Sequence, residues 1–288
     1  MKRTDIVLNE FLENFLKFDL GHMDMDKYDN KILDINYYDD LNLDLYLPKT
    51  VGPFKVIISV YGGGFVSGFK QSKYIEPMIK PVNYGYAVVV PDYTKALDAT
   101  YPRPIIDLKN CIKWVYENRE KYNFDLSSIS LWGESAGGYL VLAAGLMNNS
   151  LFGLKDYKIH NIISFYPVVD ISTIKEDSKK TGINISEDPN EDVFCIFLGK
   201  NIYDNKKVME SNPINHLNEN SPRIFLQHGT KDTMVPYLQS ERVYKNAVKE
   251  NVYIKYELVK GKVHTDLYFF TDNNIEKIID FIEERNGI

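Results

Sequence analysis

Short apolar runs and longer amphipathic stretches alternate through the middle of the chain. VIISVY (56–61), YAVVVPDY (86–93), SISLWG (128–133), NIISFYPVV (161–169) and RIFLQHG (223–229) are rich in Val, Ile and Phe. Such runs predict strands buried on both faces. VYIKYELV (252–259) predicts one more. Between Pro104 and Tyr122, Ile105, Leu108, Ile112 and Val115 fall on one helical face. AGGYLVLAAGLM (136–147) opens with small residues and stays apolar, as a helix packed close to a sheet would. Residues 236–250 and 272–285 predict two further helices, the last with a stripe of Ile275, Ile278, Ile279 and Ile282. Strands alternating with helices predict an α/β fold with a mostly parallel sheet covered on both faces. ILDINYY and LNLDLYLP alternate without a helix between them, so they predict an antiparallel hairpin at the sheet edge.

Two regions escape this rhythm. Residues 1–30 hold an amphipathic helix (Val7, Phe11, Leu12, Phe15) and then a polar stretch. Residues 170–220 are charged and irregular, the character of an insertion forming a lid over a site. With no repeat, linker or low-complexity tract, the 288 residues read as a single domain, in which 1–30 is a candidate part of a cap.

Composition narrows the partners. The net charge of −6 and the lack of a Lys/Arg-rich block argue against nucleic acid. No apolar run reaches the ~18 residues of a membrane span, and acids at positions 5, 10 and 13 interrupt any signal-peptide core. Cys111 and Cys195 lack metal or redox spacing and sit among apolar neighbours. They predict buried free thiols and a reducing, cytoplasmic setting. H-E-x-x-H and EF-hand patterns are missing from the sequence. Oligomeric state stays open.

The chemistry lies in SLWGESAGGYL. Gly133-Glu134-Ser135-Ala136-Gly137 matches G-x-S-x-G between a predicted strand and a predicted helix, the setting of a nucleophile elbow. The serine occupies a sharp turn, and the helix N-terminus behind it favours developing negative charge. A second glycine cluster, Gly62-Gly63-Gly64, follows VIISVY. A phosphate loop fits it poorly: counted from Gly63, the second glycine is Gly68, but Phe69 precedes Lys70 and no Ser/Thr follows. The dinucleotide pattern fails at Ser67.

With these residues the chain resembles the α/β-hydrolase fold, and within it carboxylesterases related to hormone-sensitive lipase and to acetyl-xylan and feruloyl esterases. GESAGG, FLGK (197–200), SNPINHL (211–217) and HGTKDTMVPYLQSE (228–241) stand in the family's order, and the likeness covers most of residues 32–285. The resemblance implies that Ser135 is a nucleophile and that the amides of Gly63, Gly64 and Ala136 form an oxyanion hole. The family usually carries histidine where this chain has Tyr61, which implies altered support for the glycine loop. The order Ser, Asp/Glu, His selects His264 as base from five histidines. Asp232, matching G-x-x-D-x-x-V-P, is the expected acid, with Asp170 its rival. Glu134 reads as a structural acid. The implied activity is hydrolysis of short-chain acyl esters, such as acetyl esters, of carbohydrates or small alcohols, with no cofactor. An amide hydrolase (peptidase or arylformamidase) and a non-catalytic hydrolase-fold binding protein are the alternatives.

Overall fold

The computed structural model describes residues 10–185 and 192–284. Eight strands form one sheet: β1 (Lys31–Tyr38), β2 (Leu41–Tyr46), β3 (Phe54–Val60), β4 (Ala87–Pro91), β5 (Phe124–Glu134), β6 (Asn161–Phe165), β7 (Arg223–Gly229) and β8 (Ile254–Val259). Their order is β1-β2-β4-β3-β5-β6-β7-β8. The β1–β2 hairpin pairs antiparallel, β2 joins β4 antiparallel, and all later pairs are parallel. The mostly parallel sheet and the edge hairpin are therefore as the apolar runs predict, and the architecture is that of an α/β-hydrolase. β4 and β6 are buried throughout, whereas the edge strands β1 and β8 are only partly covered. Buried strands lose their polar face, and this is why they read as continuous apolar runs.

Helices α2 (Arg103–Glu117, followed by the one-turn α3, Arg119–Tyr122), α4 (Ala136–Leu146) and α8 (Leu238–Lys249) serve connections that step along the sheet in one direction, from β4 to β5, β5 to β6 and β7 to β8. The β3–β4 connection, with a 3₁₀ segment at Glu76–Tyr84, steps the other way. Right-handed crossovers put the two sets on opposite faces, and α9 (Asp272–Glu283) packs with the 3₁₀ segment. The stripe Ile105, Leu108, Ile112 and Val115 is buried on α2; on α9, Ile275, Ile278 and Ile282 are buried and Ile279 is partly so. α4 is buried along nearly its whole length between the sheet and α2, so it has no polar face to show in the sequence.

The direction of winding reverses at β3, and ligand sites of open α/β sheets form beyond the strand ends at such a reversal. Val60, at the end of β3, pairs with Gly133 of β5. The triple-glycine loop and the Gly-Glu-Ser-Ala-Gly turn therefore emerge side by side.

Helix α1 spans Glu10–Lys17; Val7 of the predicted helix lies outside the described residues. Leu12 is fully buried, tying α1 to the core. Residues 170–220 contain α5 (Ile174–Thr181), α6 (Val193–Leu198) and α7 (Asn205–Ser211) and, among the described residues, no strand. α5 is held by Asp177, which takes two hydrogen bonds from Arg242 of α8. On α6, Phe197 stacks on Phe65 at 4.2 Å, and at the end of α7 the Ser211 carbonyl accepts from the buried Tyr139 hydroxyl. Of the two thiols, Cys111 is buried and Cys195 only half-buried; both are free.

Candidate active site

Ser135 sits between β5 and α4 with φ 52° and ψ −121°, a region that non-glycine residues enter only when the surroundings compel it. The compulsion is visible in the flanking glycines. A Cβ at Gly137 would stand 2.2 Å from the Val60 carbonyl oxygen, and one at Gly133 would stand 2.2 Å from the Gly137 carbonyl oxygen. Strand and helix thus meet at backbone contact, and the serine is pushed out at the apex of the turn.

His264, on the loop after β8, places Nε2 2.9 Å from the Ser135 Oγ and Nδ1 2.6 Å from Asp232 Oδ2. The carboxylate fixes the tautomer: Nδ1 donates to Asp232, leaving Nε2 to accept from the serine hydroxyl. Asp232, on the loop after β7, is itself held by two backbone donors, the amides of Met234 and Val235, each 2.8 Å from Oδ1. Burial alone would push this carboxyl up, but hydrogen bonds from His228 and His264 outweigh it, and the group lies well below the usual carboxylate range.

His228 is a participant that the strand pattern hides. It is fully buried, with Nε2 facing two acceptors: Asp232 Oδ2 at 3.2 Å and the Val235 carbonyl at 3.0 Å. That nitrogen therefore carries hydrogen, and Nδ1 accepts from the Ser240 hydroxyl at 2.7 Å. The only available signal was its position four residues before Asp232 in HGTKD. Asp170 lies elsewhere: its Oδ1 accepts from the amide and hydroxyl of Ser172.

Gly63 and Gly64 have φ of +109° and +57°. A Cβ on Gly63 would stand 2.5 Å from the Ser67 carbonyl oxygen, so the turn requires glycine. Among the described residues, none accepts a hydrogen bond from the amides of Gly63, Gly64 or Ala136. Gly62 differs, since its amide donates to Glu134 Oε1 at 2.5 Å. Burial raises the Glu134 carboxyl above its ordinary value, opposed by His264 and the Gly62 amide. Glu134 therefore ties the glycine loop to the elbow.

Tyr61 supports the same loop from beneath. Its hydroxyl donates to Asp92 Oδ1 (2.8 Å) and accepts from Lys95 Nζ (2.5 Å), while its ring stacks on Tyr93 at 4.8 Å. Lys95 Nζ lies 4.0 Å from the Tyr93 ring centroid and 4.5 Å from that of Tyr61. Burial lowers Lys95 to about 8, against the pull of Asp92, Asp107 and Asp98. The Tyr93 hydroxyl donates to the carbonyls of Tyr61 and Gly62.

Ser135 and His264 open onto a mainly apolar cavity of about 340 Å³, within the size range of small-molecule sites. The glycine loop, Ser72, Tyr74, Met234 and Thr265 line it, together with Phe18 and Leu20 of the N-terminal arm. The arm is fastened by the Lys73 amide, which donates to the Leu20 and Gly21 carbonyls, and by the Met23 amide, which donates to the Gln71 carbonyl. Among the described residues of 170–220, none lines this cavity. No helix of the described residues is long and apolar enough to cross a membrane, and no cluster of metal-ligating side chains occurs among them.

Comparison with known proteins follows the same lines. The chain is 28% identical over 217 residues to the esterase LipQ of Mycobacterium tuberculosis, covering 72% of this chain and 49% of LipQ. It is 25% identical over 194 residues to the probable carboxylic ester hydrolase LipM of that organism, covering 66% of this chain and 44% of LipM. The chain thus spans about half the length of these curated relatives. Among solved structures, a truncated carbohydrate esterase from gut microbiota superimposes with a TM-score of 0.79 and 25% identity, over 91% of this chain and 98% of that one. Esterase 2 of Thermogutta terrifontis, phosphonylated by sarin, superimposes with a TM-score of 0.70 at 20% identity, over 89% and 94% of the two chains, a likeness of fold. The BD-FAE family matches residues 43–247, and the chain belongs to that family.

Proposed function

We propose that the chain is a serine carboxylic-ester hydrolase. The observation that carries this reading is the continuous line Ser135 Oγ, His264 Nε2, His264 Nδ1, Asp232 Oδ2 beside the unengaged amides of Gly63, Gly64 and Ala136. His264 takes the Ser135 proton as Oγ bonds to the ester carbonyl carbon. The carbonyl oxygen gains negative charge opposite the three amides, which need no reorganisation to receive it. The carbon–alkoxy bond then breaks, and His264 gives its proton to the departing oxygen. Water repeats the sequence against the acyl-enzyme and frees the acid and Ser135. Asp232 stays ionised throughout and stabilises the imidazolium.

The substrates are short acyl esters, such as acetyl esters, of carbohydrates or small alcohols. The restricted cavity supports a short acyl group, and the likeness to a carbohydrate esterase supports the alcohol class. Two free cysteines support a cytoplasmic setting. A series of p-nitrophenyl esters from acetyl to dodecanoyl tests the substrate reading. Turnover is expected to be highest for acetyl, and a maximum at the long chains overturns it.

A further inference from the structure

Tyr166 follows directly on β6 and has no place in the line of proton transfer, yet it touches that line. Its side chain is fully buried. Its backbone is left-handed, with φ 37°, a state that a bulky residue adopts only under constraint. Main-chain bonds fix the chain on either side: the Phe165 carbonyl accepts from the Ser135 amide at 2.9 Å, and the Tyr166 amide donates to the Gln227 carbonyl at 2.7 Å. The ring packs against the His264 imidazole with centroids 4.6 Å apart, and Phe269 (4.9 Å) and His228 (6.5 Å) complete its surroundings.

The hydroxyl is the unexplained part. Glu134 spends Oε1 on the Gly62 amide. Glu134 Oε2 and the Tyr166 hydroxyl are both buried, and among the described residues neither has an aligned hydrogen-bond partner. They lie within reach of each other, and each acts on the other's protonation. Burial, then the Glu134 charge, pushes the phenol well above its ordinary value, and Asp232 and Asp266 add to this. The phenol therefore keeps its proton and can only be satisfied by an acceptor. Buried polar atoms are paired in folded chains, and a phenol O–H on a carboxylate oxygen satisfies both atoms at once.

We infer that the Tyr166 hydroxyl is a positioning group for acyl transfer, donating to Glu134 Oε2 and so holding that carboxylate between the glycine loop and the His264 imidazole. This rests on the esterase reading above and extends it to a residue outside the triad. With Oε1 on Gly62 and Oε2 on Tyr166, the carboxylate cannot rotate. One end fixes the start of the Gly62-Gly63-Gly64 loop. The whole group presents a second negative charge, beside Asp232, to the imidazolium that forms when His264 takes the serine proton. That attraction exists only after the proton has moved, so it lowers the barrier without tightening substrate binding.

The test measures p-nitrophenyl acetate turnover and thermal unfolding in the wild type, Tyr166→Phe, Glu134→Gln and the double variant. Tyr166→Phe keeps the ring against His264 and removes the donor alone. End-point labelling of Ser135 with a fluorophosphonate counts active sites, and kcat is expressed per labelled site. It is expected to fall about tenfold in Tyr166→Phe, as for one lost hydrogen bond to a charged group, with KM within twofold of the wild type. The double variant is expected to turn over no more slowly than Glu134→Gln, because the hydroxyl acts through that carboxylate. An unchanged kcat per labelled site in Tyr166→Phe, or a loss carried by KM, overturns the positioning role. Losses that multiply in the double variant overturn the route through Glu134. The pairing is also read without turnover: the Tm losses of the two single variants should fall short of adding in the double, and strict addition overturns it. Absence of labelling and of ester turnover in the wild type, with the Tm losses still non-additive, counts against the esterase reading and not against the pairing.

Discussion

Asp232→Asn separates orientation from mere presence of a polar group. Oδ1 of Asp232 accepts from the Met234 and Val235 amides, so an asparagine keeps its oxygen there and turns its NH₂ toward the position of Oδ2. That NH₂ faces the ring nitrogens of His264 and His228. His264 can meet a donor only by accepting at Nδ1, which moves its hydrogen to Nε2. Nε2 then donates toward Ser135 Oγ and cannot receive the serine proton. The fold is retained while the base is in the wrong tautomer, a change worth roughly 10⁴ in turnover in serine hydrolases generally, or about 5.4 kcal/mol at the transition state. The assay is kcat on p-nitrophenyl acetate together with thermal unfolding of both proteins. Asp170→Asn is the control, since that side chain bonds to Ser172 in its own loop; its turnover is expected to match the wild type. A large loss in Asp170→Asn with little in Asp232→Asn refutes the reasoning.

Other outcomes follow from neighbouring residues. Tyr61→Phe removes a buried hydroxyl shared by Asp92 and Lys95; a stability loss of ~1–3 kcal/mol is expected. Its kcat should fall by less than the ~10² of a lost oxyanion donor, with KM little changed, as steady-state kinetics would show. Lys95 is lowered to about 8 in the folded chain, against about 10.4 unfolded. Between those values the unfolded state binds more protons, so stability rises with pH across that window; urea titrations should show this rise flattened in Lys95→Met. Gly137→Ala forces a methyl against the Val60 carbonyl and should destabilise by roughly 3 kcal/mol or prevent folding, read as a lowered Tm or loss of soluble protein.

The parts of the molecule legible from sequence are those where one physical demand dominates. Strands such as β4 and β6 are buried on both faces and so read as unbroken apolar runs. The elbow is legible because backbone contact at Gly133 and Gly137 excludes every side chain. What escaped notice depends on contacts between distant segments. Phe18 and Leu20 reach the cavity through main-chain bonds between residues 20–23 and 71–73, which have no residue-type signature. His228 lies inside a strand-like run, and only folding brings its ring to Asp232 and Ser240. Lys95, in an ordinary PDYTK stretch, acquires its meaning from Tyr61, 34 residues away. The α-helices described within residues 170–220, α5, α6 and α7, are six to eight residues long, too short for periodicity to stand out from their charged surroundings.

The most direct measurement is the site and rate of reaction with a fluorophosphonate, read by mass spectrometry of the digested protein. The account predicts one adduct, on the peptide carrying Ser135, absent in Ser135→Ala and formed far more slowly in His264→Ala. An adduct that persists in Ser135→Ala, or that forms as fast without the His264 imidazole, would contradict it.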